Sequence, residues 1–596
     1  MGTRKLTQPT YRPTQRLKLT TPINNPATTS VPPLPVPQAD APPATDSSEP
    51  SFNQLEEIVH QILLSSAQQQ GIIEPTTYEE AVNSPQAEHW LRAMDEELEA
   101  LAENRTWELV EPPKGTKPIN CKWVFKIKLN KDGTVARYKA RLVAKGFQQV
   151  EGRDYNEIFS PVARMSTIRT LIALATVYNL ELDQMDVVTA FLNGDIDEHI
   201  FMRQPTGFGV AGKQHYVCKL NKALYGLKQA PRQWNIKLHN YLVDELGFSA
   251  NHVDAALYTK WDGKQFYIIC VYVDDLLVAS NNRVILDKLK SMLAAGFKMK
   301  DLGPLSYYLG VEVIRDRVAG TTTLSQRAYA LEVLKRFNMQ DCRGVTTPAQ
   351  ANILLTKEMS PANEEEKEAM RNVPYASSVG AIMYLSTCTR PDVTWALSKA
   401  AAFTARPGPS HWKALKRILQ YLQTTYNWSL TYRTGPSASV LEVFTDADHN
   451  TCPDTSRSTS ARVLMLAGAA IEWSSKKQGI ATISTLESEY VAMASACQTV
   501  VWARHLLQEL GSPQKQPTPL WCDNQGAIAV TRNPESHHRT KHIRLKYHFI
   551  KDCERLGDVK VQFVGTKEQI AYSLTKALDA VSHAKCSQAQ GLWPLE

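Results

Sequence analysis

The sequence predicts an α+β protein of several domains, and three observations carry that prediction. Strand-like apolar runs rich in β-branched and aromatic residues end on acids at two distant places, YIICVYVDDLLVAS and LEVFTDADHN. Between and around them lie stretches with apolar residues at helical spacing, such as STIRTLIALATVY and SHWKALKRILQYLQTT. At 596 residues the chain exceeds what one hydrophobic core serves, and length alone suggests about three or four domains.

Composition narrows the partners. Hydrophobic residues make up 43% and charged residues 21%, as in an ordinary globular chain. The formal net charge of +7 is a mild basic excess that favours a polyanionic partner. Ten cysteines are scattered without a CxxC or zinc-type pairing, which reads as reduced, mostly buried thiols of an intracellular protein. No apolar run is long enough for a membrane span, and the N-terminus lacks the apolar core of a signal peptide.

In chain order, residues 1–76 are dominated by Pro, Thr, Ser, Ala and Gln and are expected to be disordered, with room for a short helix from Phe52 to Ser66. A helix is expected next, capped by Ser84 with Pro85 at its first position and carrying Trp90, Met94, Leu98 and Leu101 on one face. Trp123, Phe125 and Ile127 then alternate with Lys122, Lys126 and Lys128, and Asp132-Gly133 supplies a hairpin turn. Lys139, Arg141 and Lys145 line the returning strand. Such cations are either a solvated face or a grip for phosphates.

A helix from Ser166 to Tyr178 leads to a strand-like run in which Leu182, Met185, Val187 and Val188 surround Asp186, with Phe191 five positions beyond. A turn containing Gly226 opens a helix at Pro231. After the run ending on Asp274 and Asp275 come helices over about 284–293 and 326–337. Residues 341–372 read as a linker, followed by two or more helices, the second capped at Ser410. From Ser439 a strand ends on Asp446 and Asp448, and a helix starting at Ser484 or Thr485 carries Glu487 and Glu489. Another strand ends on Asp523; a His/Arg/Lys-rich stretch, a strand (VKVQFVG) and a helix (EQIAYSLTKAL) close the chain.

Asp-Asp is in its own right a turn-forming dipeptide. Yet an acid inside an apolar strand is costly unless it meets a metal or a partner. Two-metal phosphoryl transfer needs carboxylates from distant strands gathered around ions about 3.5–4 Å apart. The chain offers two such sets: Asp186 with Asp274 and Asp275, and Asp446 with Glu489 and Asp523.

The runs KARLVAKGFQQVEGRDYNEIFSPVAR, QMDVVTAFLNGDIDEHIFMRQPTGF, ALYGLKQAPRQW and YVDD, in that order, resemble the reverse transcriptase of copia-type LTR retrotransposons. Downstream, SSVGAIMYLSTCTRPDV, WSSKKQ, STLESEYVA, CDNQGAIA and RTKHIRLKYHFI resemble that family's connection and ribonuclease H regions. The likeness runs over roughly 77–580, with no protease or integrase core in view, which implies a portion of a Pol polyprotein. It implies a right-hand polymerase with fingers, a ferredoxin-like palm and thumb over 77–340. A linker and connection region over 341–438, an α/β ribonuclease H-like domain over 439–580 and a C-terminal tail over 581–596 would follow.

By the same resemblance, Asp186, Asp274 and Asp275 would hold two Mg²⁺, with Mn²⁺ as a substitute, for attack of a primer 3′ hydroxyl on a deoxynucleoside triphosphate. Tyr272 would lie near the primer end and Phe191 would be the gate against a 2′-hydroxyl. Lys139 and Arg141 would meet the triphosphate, and Gly226 to Gln229 would lie beside the templating pair. Asp446, Glu489 and Asp523 match three of four ribonuclease H acids, again with two ions, while Glu487 would face another side of its helix. The fourth acid belongs in an AD-x-x-TK pattern, and this chain reads Ala571-Tyr572-Ser573-Leu574-Thr575-Lys576. A phenol carries no charge near neutral pH, so an impaired ribonuclease centre is expected. Thr451 and Ala461 stand where the family has glycine, and Ala461 is harmless only if its backbone avoids positive φ.

The partners implied are an RNA template, a DNA primer, an RNA/DNA hybrid and the nucleotides, together with integrase and capsid products of the parent element. The compartment implied is intracellular: cytoplasmic virus-like particles or the nucleus. The competing expectations are a decayed or domesticated copy that binds hybrids without catalysis, and a nucleic-acid-binding accessory protein whose binding depends on salt and not on metal.

Overall fold

The computed structural model describes residues 74–129, 135–351, 353–532 and 544–595. The expected N-terminal disorder and the helix at Phe52, the Asp132-Gly133 turn and the first part of the His/Arg-rich stretch, residues 536–543, lie outside those residues. The described chain is a mixed α+β structure with five β-sheets, each antiparallel except the last; besides the four taken below there is a three-stranded one of Trp107–Val110, Val217–Leu220 and Phe201–Arg203.

The first is the basic hairpin, Cys121–Leu129 against Val135–Ala144, covered by the helix Ala87–Glu103. That helix buries Trp90, Ala93, Met94 and Leu101 on the expected face, with Trp90 edge-on to Phe125 and Tyr138. It begins at Ala87 and not after Ser84, because the Ser84 hydroxyl donates to the Ala81 carbonyl at 2.8 Å and closes the short preceding helix Tyr78–Val82.

The central sheet has six strands in the order Met299–Pro304, Glu181–Val187, Asp275–Ser280, Gln265–Tyr272, Leu257–Asp262 and Ser249–Ala250. Its middle strands are apolar on both faces, and Ile268 to Tyr272 and Leu276 to Ala279 are buried. Helices Met165–Val177, Ala230–Asn240 and Arg283–Gly296 lie in sequence order around it, close to their expected bounds. The one deeply buried acid of the sheet, Asp183, is matched by Arg283 and Lys290, both at 2.8 Å.

A five-stranded sheet follows: Tyr307–Tyr308, Val311–Asp316, Thr321–Ser325, Trp428–Arg433 and Leu592–Pro594. The expected tail over 581–596 is therefore structured: Asp579 caps the helix Ala580–Ala589, and Leu592 then pairs with Leu430. The helix expected to begin at Ser410 starts at Pro409, because the His411 ring accepts from the Gly408 N–H at 2.9 Å and caps it. The expected linker carries a helix of its own, Glu364–Arg371, capped by Asn363.

In the last sheet Ala469–Lys477, Thr459–Leu466 and Glu442–Ala447 are antiparallel, and Thr518–Cys522 and Val559–Phe563 join in parallel. The long helix Thr485–Glu509 packs on it; at its start the Ser484 hydroxyl accepts from the Glu487 N–H and the Glu487 carboxylate accepts from the Ile483 N–H. Ala461 is extended and pairs with Asp446, and Asn450 takes the positive φ near Thr451, so neither glycine is needed. The last expected helix is only a short 3-10 turn, Ile570–Leu574, because the Gln569 side chain accepts from Ala571 and Thr575 turns to bond Asp446. Among the described residues no helix is long and apolar enough to cross a membrane, and all ten cysteines are free.

Arg169 joins these assemblies. Almost fully buried on the helix Met165–Val177, it donates to the carbonyls of Thr387 (2.7 Å), Cys388 (3.0 Å) and Ile471 (2.8 Å). Its guanidinium lies 4.0 Å over the Trp473 ring. Arg169→Met fits the volume but strands three buried carbonyls, so it lowers stability by about 2–4 kcal/mol. Urea unfolding followed by tryptophan fluorescence checks this, and an unchanged midpoint overturns it.

Candidate active sites

The first site forms at one end of the central sheet. Asp275 lies directly opposite Asp186 in the antiparallel register, and Tyr272 pairs with Asp275, leaving Val273 and Asp274 as a two-residue turn. Val273 sits at φ +54°, an uncommon and costly place for a β-branched residue, of order 1–3 kcal/mol. Two bonds hold it there: the Trp234 indole donates to the Val273 carbonyl at 2.7 Å, and the Val187 N–H to the Asp274 carbonyl at 2.9 Å.

The three acids are half-buried, and they are not equivalent. Burial pushes the Asp186 carboxyl up, and the Asp274 charge adds to that, against Lys139, Lys300 and Arg141. Asp275 instead accepts the Gln184 amide at 3.0 Å. Asp186 and Asp274 thus form the crowded pair, with Asp275 steered by its neighbour. Carboxylates that repel each other in a partly desolvated cleft fit a divalent cation.

Cations and aromatics stand beside this pair. Lys139 on the basic hairpin is half-buried, and burial together with Arg141, Lys128 and Arg137 pushes its ammonium down to about 8. Arg141 lies 4.7 Å over the Tyr225 ring, and Phe191 meets that ring edge-on at 4.6 Å. Gly226, at φ +90°, lets the chain turn tightly against the end of the hairpin, where a Cβ would strike the Ala144 carbonyl.

The second site lies in the last sheet. Asp446, 1% exposed, accepts from the Thr575 hydroxyl; Asp523 accepts from Thr566 at 3.2 Å. Carboxylate oxygens of Glu489 and Asp523 lie within 4.8 Å of each other and of the Cys522 sulfur. Burial pushes Asp446 up to about 6 and Glu489 up to about 9, with the neighbouring acids adding to both. One buried Glu489 oxygen has no hydrogen-bond partner, which a metal ion would supply. Burial holds Cys522 as a neutral thiol, so it is a poor ligand. Asp448 is committed to Thr459, Thr451 and Lys399, and so is structural.

Three comparisons bear on these sites. Residues 104–351 match the family model described as reverse transcriptase (RNA-dependent DNA polymerase). The chain is 42% identical over 87% of its length to the retrovirus-related Pol polyprotein from transposon TNT 1-94 of Nicotiana tabacum. It is 38% identical over 87% to that of transposon RE2 of Arabidopsis thaliana. A protein named putative transposon Ty5-1 protein, of Saccharomyces cerevisiae, is 36% identical over 53% of this chain and 99% of its own length. The chain belongs to the copia-type reverse transcriptases. It spans 39% and 35% of the two plant relatives. A foamy viral protease-reverse transcriptase solved with an RNA/DNA hybrid is similar at 11% identity over 80% of this chain and 53% of that one. Its TM-score of 0.38 is too loose to place any element.

The structure brings Asp186, Asp274, Asp275, Lys139, Arg141 and Phe191 together, and Asp446, Glu489 and Asp523 likewise. Two expected contacts differ. Gln229 is 1% exposed and spent inside the protein, bonding Gln149 at 2.9 Å and the Asp154 carbonyl at 2.8 Å. It holds the loop and does not face a template. Tyr272 is 3% exposed and packs in the core, where a primer contact was expected.

Sequence reasoning missed Tyr225, Lys300, Thr575 and Lys576. Lys300 pairs with Asp186 from the opposite strand to Asp275, a register that no local pattern discloses. Tyr225 precedes Gly226 and was within reach of the same reading.

The Glu489 proton gives a pH test. A folded carboxyl raised from 4.5 to about 9 holds a proton that the unfolded chain releases, so its contribution is full at low pH and declines as pH rises through that window. In chelator, the unfolding temperature should fall between about pH 5 and 9, and less steeply in Glu489→Gln. Equal slopes in scanning calorimetry would overturn the assignment.

Proposed function

We propose that this chain is an RNA-directed DNA polymerase, extending a DNA primer along an RNA template. One observation carries the reading: Asp186, Asp274 and Asp275 meet at one sheet end beside Lys139, Arg141, Phe191 and Tyr225. That set offers acids for divalent cations, cations for a triphosphate and an aromatic wall for a sugar.

On this reading residues 77–340 form fingers, palm and thumb, with the central sheet as palm. Residues 341–438 are the connection and the last sheet is the core of a ribonuclease H-like domain. Two Mg²⁺, or Mn²⁺, held by Asp186, Asp274 and Asp275 would lower the pKa of the primer hydroxyl and neutralise the departing pyrophosphate. Lys139 and Arg141 grip the phosphates, Arg141 with its orientation fixed by stacking on Tyr225. Phe191, braced edge-on by Tyr225, presses on the sugar and rejects a 2′-hydroxyl. Gly226 keeps the loop beside the templating pair thin.

Asp446, Glu489 and Asp523 are the acids of a weakened ribonuclease H. Next to them a cavity of about 840 Å³, apolar along much of its lining, also presents Lys357, Lys399, Lys413, Arg417, Lys477 and Lys576. Such a row suits the phosphates of an RNA/DNA hybrid. Integrase and capsid products of a parent element and an intracellular location, in the cytoplasm or nucleus, belong to the same reading. Tyr572 also favours a second reading, a decayed copy that binds hybrids without catalysis.

Asp274→Asn should cut Mg²⁺-dependent extension of a primed RNA template by about 10³-fold or more. Retained extension removes these acids from the mechanism, and no extension by the parent chain selects the second reading. In the same assay Tyr572→Asp should raise cleavage of the hybrid's RNA strand by about 10-fold or more. Equal rates for variant and parent reject the impairment.

A further inference from the structure

The expected fourth acid of the ribonuclease-like centre is Tyr572, and the structure shows what its ring does. The Lys576 N–H donates to the Tyr572 carbonyl at 3.3 Å, one turn apart, so the two side chains share a face. The Lys576 ammonium then lies 3.5 Å above the Tyr572 ring centroid. Thr575, between them, reaches Asp446 with its hydroxyl. The ring thus holds a fixed positive charge beside the carboxylates, by the attraction of a cation to an aromatic face.

We propose that the Lys576 ammonium, seated on Tyr572, is a resident cation of the Asp446–Glu489–Asp523 centre, which therefore takes one divalent ion. An aspartate at 572 would let it take two. This rests on the metal reading of the centre given above. Charge supports it: three carboxylates and one ammonium sum to two negative charges, which one divalent ion neutralises. A second ion would meet only the repulsion of the first and of the lysine. The Lys576 charge is felt at both Asp446 and Glu489, and at Asp446 it outweighs the Thr575 hydrogen bond. An aspartate in place of Tyr572 would add a negative charge and remove the ring that seats the ammonium.

The test counts ions and does not depend on turnover. In the full chain carrying Asp186→Asn, Asp274→Asn and Asp275→Asn, only the second centre keeps its acids. Mn²⁺ titrated into that protein, with free ion read by electron paramagnetic resonance, should saturate at one ion per chain. Tyr572→Asp added to it should bring the count to two. Lys576→Met should take up a second ion or bind the first about tenfold more tightly, while Lys576→Arg and Tyr572→Phe should match the parent. Two ions in the parent overturn the inference whatever the variants do, as does a folded Lys576→Met that matches the parent in count and affinity. No bound ion at all would overturn the metal reading of the centre as well, so the two failures are distinct.

Discussion

A carboxylate at the end of an apolar sheet is stable only if something holds its backbone and something answers its charge. The turn at Val273-Asp274 meets the first need at a local cost, with a β-branched residue at φ +54°. Trp234 and Val187 over-determine that geometry through the two turn carbonyls. Because the turn has two residues, Asp275 is set against Tyr272, and the Val187 N–H on the Asp274 carbonyl seats the neighbouring strand Glu181–Val187 so that Asp186 faces Asp275. A second antiparallel pairing, with Met299–Pro304, sets Lys300 on the other flank of Asp186. Slipping the register by one residue would turn Asp186 into the core and Met185 out to the cleft. The acidic pair and the cation beside it both depend on the register of the strand Glu181–Val187.

The two acidic centres answer their charge differently. At the sheet end the acids are half-buried and face cations from two separate elements, the basic hairpin and the edge strand. Such a site can exchange those cations' attention between its own carboxylates and an incoming polyanion. In the last sheet Asp446 and Glu489 are nearly sealed and are protonated more readily as a result. Their nearest cation, Lys576, is pinned on an aromatic ring. A metal entering there must displace a proton, which couples its affinity to pH far more strongly than at the open site.

Much of this was legible in the sequence because acids at strand ends and periodic apolar runs are local signals. The helices Met165–Val177 and Thr485–Glu509 and the strands bearing Asp186, Asp275 and Asp446 lie within a few residues of where the pattern puts them. What escaped was decided by competition or by distant pairing. Ser84 has the chemistry of a helix cap but closes the preceding turn instead. EQIAYSLTKAL is helix-like in composition, yet Gln569 and Thr575 prefer bonds that break the helix. Gln229 looks like a ligand because it is polar in a glycine loop, and tertiary packing spends its amide on Gln149 and Asp154. The C-terminal strand pairs Leu592 with Leu430, a contact no window of sequence contains.

Arg169 shows how the centres are held in one body. Its helix begins just after Ala163, whose N–H bonds the Val271 carbonyl of the acid-bearing hairpin. No carboxylate answers the guanidinium; its solvation comes from carbonyls of Thr387 and Cys388, at the negative end of the helix Tyr375–Cys388, and from Ile471 in the last sheet. Burial lowers the pKa of this arginine without discharging it, since a guanidinium stays protonated under any working condition. A charge that can neither leave nor neutralise must keep all three carbonyls within reach. Hinge motion between the sheets would pull at least one of them away, at a cost comparable to breaking a charge-assisted hydrogen bond in a dry interior, about 1.5–3 kcal/mol. Tyr178 with Ser512 (2.9 Å) and His252 with Glu509 (3.1 Å) reinforce the same junction at its rim, where exposure makes each weaker. The distance between the two acidic centres is therefore a property of the packed core, and not of a linker between them.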